Sequence, residues 1–257
     1  MGKVLVEVCC GSADDVIQAD RAGADRAELN SDLFHGGLTP TLGELLVAKR
    51  ESGMKVIAMV RPREGGFCYT QAEFDTAVED AKLLLAHGAD GLAFGFLHED
   101  GTLDLERTRV LAKLAREAGR ESVFHRAIDM VPDWRAALDE LAALGVTRVL
   151  TSGQEPDAPQ GADTIREMIQ YAAGRIEILP GGGIKAKNVE RVVAQTGCGQ
   201  VHLSGHRQMA DRSATNNRAI HYGGCLYPPE DQFRMVDGGY ISALVSQLRG
   251  GADTEGQ

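Results

Sequence analysis

The sequence predicts a (β/α)8 TIM barrel, an α/β fold built as a single domain, and three observations predict it. The first is length: 257 residues is close to the ~250 that one such barrel takes. The second is alternation. Apolar strand-like runs and amphipathic helix-like runs succeed one another almost from end to end, and eight such units imply a parallel sheet closed on itself. The third is a recurring joint: Ala22-Gly23-Ala24-Asp25-Arg26, His87-Gly88-Ala89-Asp90-Gly91 and Leu144-Gly145-Val146-Thr147-Arg148. In each, a glycine caps a helix in the left-handed conformation and the following residues begin a strand. A doubly wound open sheet would carry similar joints and is the competing architecture.

Strands are expected near 4–10, 26–31, 55–62, 91–97, 122–129, 148–153, 177–183 and 200–205. Helices are expected near 13–22, 42–52, 72–87, 105–118, 134–144, 164–173, 187–195 and 241–248. The barrel then occupies 1–249, with 206–239 a long irregular link before the last helix and 250–257 a polar, disordered tail. A link that long beside the barrel mouth reads as a lid or as the arm of a homo-oligomer.

Composition narrows the function. Hydrophobic residues make up 43%, enough for a core, while 27 basic against 37 acidic residues leave a formal net charge of -10. An anionic surface repels a polyanion, so nucleic acid is not an expected partner. The N-terminal run is too short and meets a carboxylate, Glu7, too early for a signal peptide, and nothing approaches the ~20 apolar residues of a membrane span. A cytoplasmic protein without membrane contact is expected. Cys9, Cys10, Cys68, Cys198 and Cys225 are odd in number and contain no Cys-x-x-Cys pair, which argues against a disulfide framework or a structural zinc site.

In a barrel, function sits at the carboxyl ends of the strands, so the inward-facing residues there matter most. Period-two alternation separates the two faces. Val4, Val6 and Val8 pack on helices and leave Glu7 and Cys9 inside; Ala27 and Leu29 leave Glu28 and Asn30 inside. Val56, Ala58 and Val60 leave Ile57, Met59 and Arg61 inside, and Val201 and Leu203 leave His202 and Ser204 inside. The stretch Ser122-Val123-Phe124-His125-Arg126-Ala127-Ile128-Asp129 puts ionisable groups where a buried strand normally has aliphatic ones, with Val123, His125, Ala127 and Asp129 on one face. Any one of these charges has a plain reading as half of a buried ion pair, and His202 one as a satisfied core histidine. Together Glu7, Glu28, Arg61, His125 and Asp129 read as a catalytic cluster, because barrel interiors are ordinarily filled by branched apolar residues.

An anion site is expected next to it. Gly181, Gly182 and Gly183 end the seventh strand and open a helix, Ser204 ends the eighth, and Thr151 and Ser152 follow the sixth. Loops after strands seven and eight commonly hold phosphate through exposed backbone amides, so a small anionic ligand is the expected partner. A tight turn that needs small residues would look the same. The loop from Arg61 to Tyr69, with Arg63, two glycines and two aromatics, suits a mobile anion-gripping flap, although a solvated loop has the same composition.

Several of these stretches together resemble the CutC family of copper homeostasis proteins: Glu7-Val8-Cys9-Cys10, Gly23-Ala24-Asp25-Arg26-Ala27-Glu28-Leu29, Gly36-Gly37-Leu38-Thr39-Pro40, Arg61-Pro62-Arg63, Phe124-His125-Arg126-Ala127 with Asp129-Met130, Leu150-Thr151-Ser152-Gly153-Gln154 and Pro180-Gly181-Gly182-Gly183-Ile184. The resemblance implies a TIM barrel, a role in copper tolerance and, in some members, copper(I) bound by two cysteines. One of the two matches Cys9; the other falls on Asn30, and an amide is a poor ligand for a soft cation. Met59 or Cys68 is the expected second sulfur. The family's usual Gly-Gly-Asp-Phe after Arg-Pro-Arg reads Glu64-Gly65-Gly66-Phe67 here. Two functions stay open: copper(I) handling at Cys9, or an isomerase, lyase or hydrolase acting on a small anionic or phosphorylated carbonyl compound, with His125 as general acid/base.

Overall fold

β-Branched Val4, Val6 and Val8 at every second position commit the start of the chain to a strand, and a short, mostly buried run returns as a strand after each of the first seven main helices. The computed structural model describes residues 3–217, 219–222 and 229–250. In order, the main elements are β1 (Leu5–Cys10), α1 (Ala13–Arg21), β2 (Arg26–Leu29), α2 (Leu42–Glu51), β3 (Lys55–Met59), α3 (Gln71–Ala86), β4 (Gly91–Phe94), α4 (Leu105–Glu117) and β5 (Glu121–Phe124). They continue with α5 (Trp134–Ala143), β6 (Arg148–Thr151), α6 (Ala162–Ala172), β7 (Glu177–Pro180), α7 (Val189–Thr196), β8 (Gln200–Leu203), β9 (His206–Ala210), β10 (Gln232–Val236) and α8 (Gly238–Gly250). The eight parallel strands run β7-β6-β5-β4-β3-β2-β1-β8, and a bridge between Gly181 and His202 brings β7 against β8. This is the (β/α)8 barrel that the alternation predicts.

The outward faces of the strands, among them Val6, Val8, Ala27, Leu29, Val56, Ala58, Val201 and Leu203, merge with the helix faces into one large core. Cys10 belongs to it, on the opposite side of β1 from Cys9. A separate, smaller cluster of Ile57, Met59, Ala93, Val123, Leu150 and Leu179 fills the barrel interior. Two clusters on opposite strand faces are the direct product of period-two alternation.

The recurring joints have a structural reason beyond their glycines. Gly23, Gly88 and Gly145 take the left-handed conformation (φ 82, 99 and 77°) at helix ends. The polar residue two positions later then grips the start of a neighbouring strand. Asp25 Oδ2 accepts from the Val6 amide at 2.9 Å, Asp90 Oδ2 from Val56 at 2.9 Å and Thr147 Oγ1 from Ser122 at 3.1 Å. The backbone amides of Asp25, Asp90 and Thr147 donate back to the carbonyls of Val6, Val56 and Ser122. Each joint thus registers one strand against the one before it.

Three expectations need correction. The strand expected over 122–129 stops at Phe124, and Arg126–Met130 is a 3-10 turn, because the His125 imidazole accepts from the Ala127 amide at 3.2 Å and bends the chain. The stretch 206–239 is not wholly irregular: β9 and β10 pair antiparallel. Asp15 anchors this ribbon by accepting from the Val236 amide at 2.6 Å. The last helix begins earlier than expected, at Gly238. The expected disordered tail lies, from 251 on, outside the described residues, as do Cys225 and the rest of 223–228. No helix among the described residues is long and apolar enough to cross a membrane.

Asp90 also pairs with Lys49 at 2.6 Å and Arg120 at 3.2 Å. Asp90→Ala is therefore expected to lower stability by about 1–3 kcal/mol, the cost of an unsatisfied strand amide, and Asp90→Asn to restore part of it. Urea unfolding of the three proteins checks this.

Candidate functional site

The interior of the barrel is stratified. At the amino-terminal end of the strands Arg26 bonds Glu7 and donates to Gln200 at 3.0 Å, and Arg148 bridges Glu177 at 2.8 Å and Glu121 at 3.0 Å. Lys55 joins Glu121 at 3.2 Å, and Gln200 donates to Glu177 at 3.0 Å. Three basic and three acidic groups satisfy one another there, so this end is a polar plug. The apolar cluster, contributed by β3 to β7, fills that side of the interior above the plug, while on the side of β8, β1 and β2 polar groups continue up to the strand ends.

At the mouth, Cys9 of β1, Glu28 of β2 and His202 of β8 come together, with one ligand-type atom of each lying within 4.8 Å of the others. Parity delivers all three, since they are inward positions on adjacent strands. Glu7, one step deeper, holds His202: its Oε1 lies 2.7 Å from His202 Nδ1. This leaves His202 Nε2 facing Glu28, 3.9 Å from Oε2. Asn30 Nδ2 donates to Glu28 Oε2 at 3.1 Å and lies 3.7 Å from the Cys9 sulfur. The Asn30 amide thus acts as a donor beside both groups.

Burial alone would keep Glu7 protonated, but the hydrogen bond from His202 and the Arg26 guanidinium overcome it and bring the carboxyl down to about 2. Burial works against the charge on His202 as well; the Glu28 carboxylate and the bonds to Cys9 and Glu7 raise it well above its ordinary value. Burial and the neighbouring Glu7 charge push Glu28 up, and burial pushes the Cys9 thiol up.

His125 stands apart from this group. It is 4% exposed and packs against Phe67, ring centres 4.8 Å apart. A Cβ on Gly95 would fall 2.4 Å from its Cε1. Burial and the charge of Arg61 lower its pKa to about 3. Because Nδ1 accepts from Ala127, the proton of the neutral ring sits on Nε2, which has no partner among the described residues. His125 is built to donate a hydrogen bond, as a neutral imidazole, rather than to cycle protons near neutrality.

The remaining candidates are tied up in local structure. Arg61 donates to the carbonyls of His35 at 3.0 Å, Gly37 at 2.9 Å and Gly65 at 2.8 Å. Arg63 pairs with Glu73 at 2.7 Å and donates to the carbonyls of Glu64, Gly66 and Cys68. The expected mobile flap is therefore a loop pinned by its own arginines. Asp129 accepts from Thr151 Oγ1 at 2.5 Å, from the amide and hydroxyl of Ser152 at 3.1 and 2.9 Å, and from Arg126 at 2.8 Å; it organises the loop after β6. Ser152 Oγ also reaches the Glu155 carbonyl at 2.5 Å. In the glycine turn, Gly181 donates to the Thr151 carbonyl, Gly182 accepts from Ala158, and a Cβ on Gly183 would meet Asp157 at 2.6 Å. Ser204 is exposed at the rim.

Of the two expected second sulfurs, Met59 belongs to the interior apolar cluster, and Cys68 is exposed on the loop after β3. Two arginines escaped the sequence reading. Arg26 is inward by the same parity that places Glu28 and Asn30, and that signal was sufficient to find it. Arg126, beside Gly182 and Ser152, follows the end of β5, where alternation no longer applies.

The His125 ring should show no titration between pH 5 and 8 and an Nε2-protonated tautomer by ¹⁵N NMR. The unfolded state takes up a proton below about 6.5 that the folded state refuses until about 3. Its contribution to stability is thus complete above 6.5 and is lost as pH falls toward 3. Gly95→Ala, which overpacks this ring, is expected to cost about 1–3 kcal/mol in thermal or urea unfolding.

Known proteins resemble this chain over most of its length. A 248-residue stretch, 96% of this chain and 100% of the relative, is 51% identical to a family protein CutC of Treponema denticola. The human copper homeostasis protein cutC homolog is 40% identical over 91% of this chain and 85% of its own length. The crystal structure of a CutC protein from Streptococcus agalactiae superposes with a TM-score of 0.73 at 33% identity, covering 78% of this chain and 98% of that one. Residues 4–207 match the profile described as the CutC family, and with the barrel and its mouth as described, the chain belongs to that family.

Proposed function

We propose that this protein serves copper homeostasis in the cytoplasm by holding a copper ion reversibly at the barrel mouth, with Cys9 as its thiolate ligand and His202 beside it. Copper here is cargo. The observation that carries this reading is the meeting of Cys9, Glu28 and His202 at the open end of the strands; the copper homeostasis relatives support it. The donors suit a copper ion in part: a thiolate and an imidazole are good copper ligands, while the two-sulfur clamp is absent, its second place being taken by Asn30. A single soft ligand favours exchangeable binding over tight storage.

The enzyme reading has less to support it. An acid/base histidine and free anion-gripping arginines would be its machinery. Burial and the charge of Arg61 lower the His125 pKa to about 3, and most of the Arg61 and Arg63 donors go to backbone carbonyls and Glu73.

Anaerobic titration of the reduced protein with copper(I) against a competing chelator tests the proposal. One copper per chain is expected, lost in Cys9→Ser; retention of the ion by that variant would refute the reading. Asn30→Cys, which places a second sulfur beside Cys9, is expected to tighten copper(I) binding at least tenfold.

A further inference from the structure

The three donors at the mouth differ in chemical class, and that difference bears on which ion they prefer. This step rests on the reading above that the mouth is a metal site. A thiolate, an imidazole and a carboxylate form a borderline set: carboxylate is a hard ligand that copper(I) does not seek, whereas zinc-type divalent ions combine all three. The surroundings of the donors point the same way. Glu7 Oε1 at 2.7 Å from His202 Nδ1 reproduces the carboxylate–histidine pair that fixes the tautomer of a metal-binding imidazole and aims its other nitrogen at the ion. Glu7 is in turn held by Arg26, and Asn30 holds the Glu28 carboxylate at 3.1 Å. Two of the three ligands thus already carry the outer hydrogen bonds that such sites use.

Charge and distance agree with this. Cys9, Glu28 and Glu7 face a single guanidinium, Arg26, so a cation of higher charge is the better match once it displaces the protons of Cys9 and His202. Bond lengths of about 2.0–2.3 Å in a tetrahedron put ligand atoms about 3.3–3.7 Å apart. His202 Nε2 and Glu28 Oε2 are 3.9 Å apart and all three donors lie within 4.8 Å, so side-chain rotation alone can close the site. Three protein ligands leave a tetrahedral ion one position for water or a small anion.

We propose that Cys9, Glu28 and His202 form a site for a divalent cation of the zinc type, with Glu7 as the residue that orients His202. Isothermal titration of the intact reduced protein with Zn²⁺, alongside the copper(I) titration, tests it, and Co²⁺ serves as a spectroscopic probe. One Zn²⁺ per chain is expected, with Co²⁺ giving a thiolate-to-metal charge-transfer band that Zn²⁺ displaces. Glu7→Gln, which leaves all three ligands in place, should weaken Zn²⁺ about 10–100-fold, and Glu28→Gln should weaken Zn²⁺ more than copper(I). The Co²⁺ band of the unaltered protein needs no variant and stands even if Glu7→Gln fails to fold. Copper(I) binding that Zn²⁺ does not contest would overturn this proposal and leave the copper reading standing. Zn²⁺ binding without copper(I) would do the reverse, and binding of neither ion would sink both.

Discussion

The Glu7 carboxylate, buried inside the barrel between Arg26 and His202, is the interaction from which the organisation of the interior follows. A lone ionised carboxylate at that depth would cost several kcal/mol. Arg26 below and His202 above make the charge tolerable, and each is positioned by it in return. Downward, Arg26 links Glu7 to Gln200 and so to the ion-paired plug of Glu177, Arg148, Glu121 and Lys55. Upward, the bond to His202 Nδ1 turns the other ring nitrogen toward Glu28 and Cys9. One acid therefore connects a structural end of the barrel to its chemical end.

The rim uses its charges differently. Arg61, Arg63 and Asp129 have the composition of a ligand-binding loop set, yet each is held largely by backbone groups and side chains of its own neighbourhood. A guanidinium with its donors on three carbonyls acts as a tie between loops: Arg61 binds the loops at His35, Gly37 and Gly65 into one wall. His125, wedged between Phe67 and Gly95 against that wall, has its pKa lowered by burial and Arg61, and its Nε2 meets no partner among the described residues. Loops tied together in this way, and a small number of committed donors, suit a site that receives an ion better than one that must open and close around a large substrate.

Family membership and donor chemistry address different levels. The resemblance extends over most of the chain and carries the copper homeostasis association with it. The side chains at the mouth decide what it can hold: Asn30 offers a hydrogen-bond donor that steadies Glu28 rather than a second soft ligand. The two proposals above both start from that donor set.

Much of this was legible along the chain. Alternation and the Gly-Ala-Asp joints determined the barrel, because both are local patterns that backbone geometry reads directly. Period two determined that Glu7, Cys9, Glu28, Asn30, Arg61 and His202 face inward, and applied once more it would have included Arg26. Only the tertiary structure decided which of these groups meet. His202 and Glu7 are 195 positions apart and Arg26 and Gln200 are 174 apart, so their pairing depends on closure of the barrel between β8, β1 and β2. Likewise, whether an arginine grips a ligand or a carbonyl, and which nitrogen of His125 holds the proton, is decided by rotamers and neighbouring loops rather than by facing direction. Parity assigns a side chain to a face; burial and the partners found there assign its charge and its task.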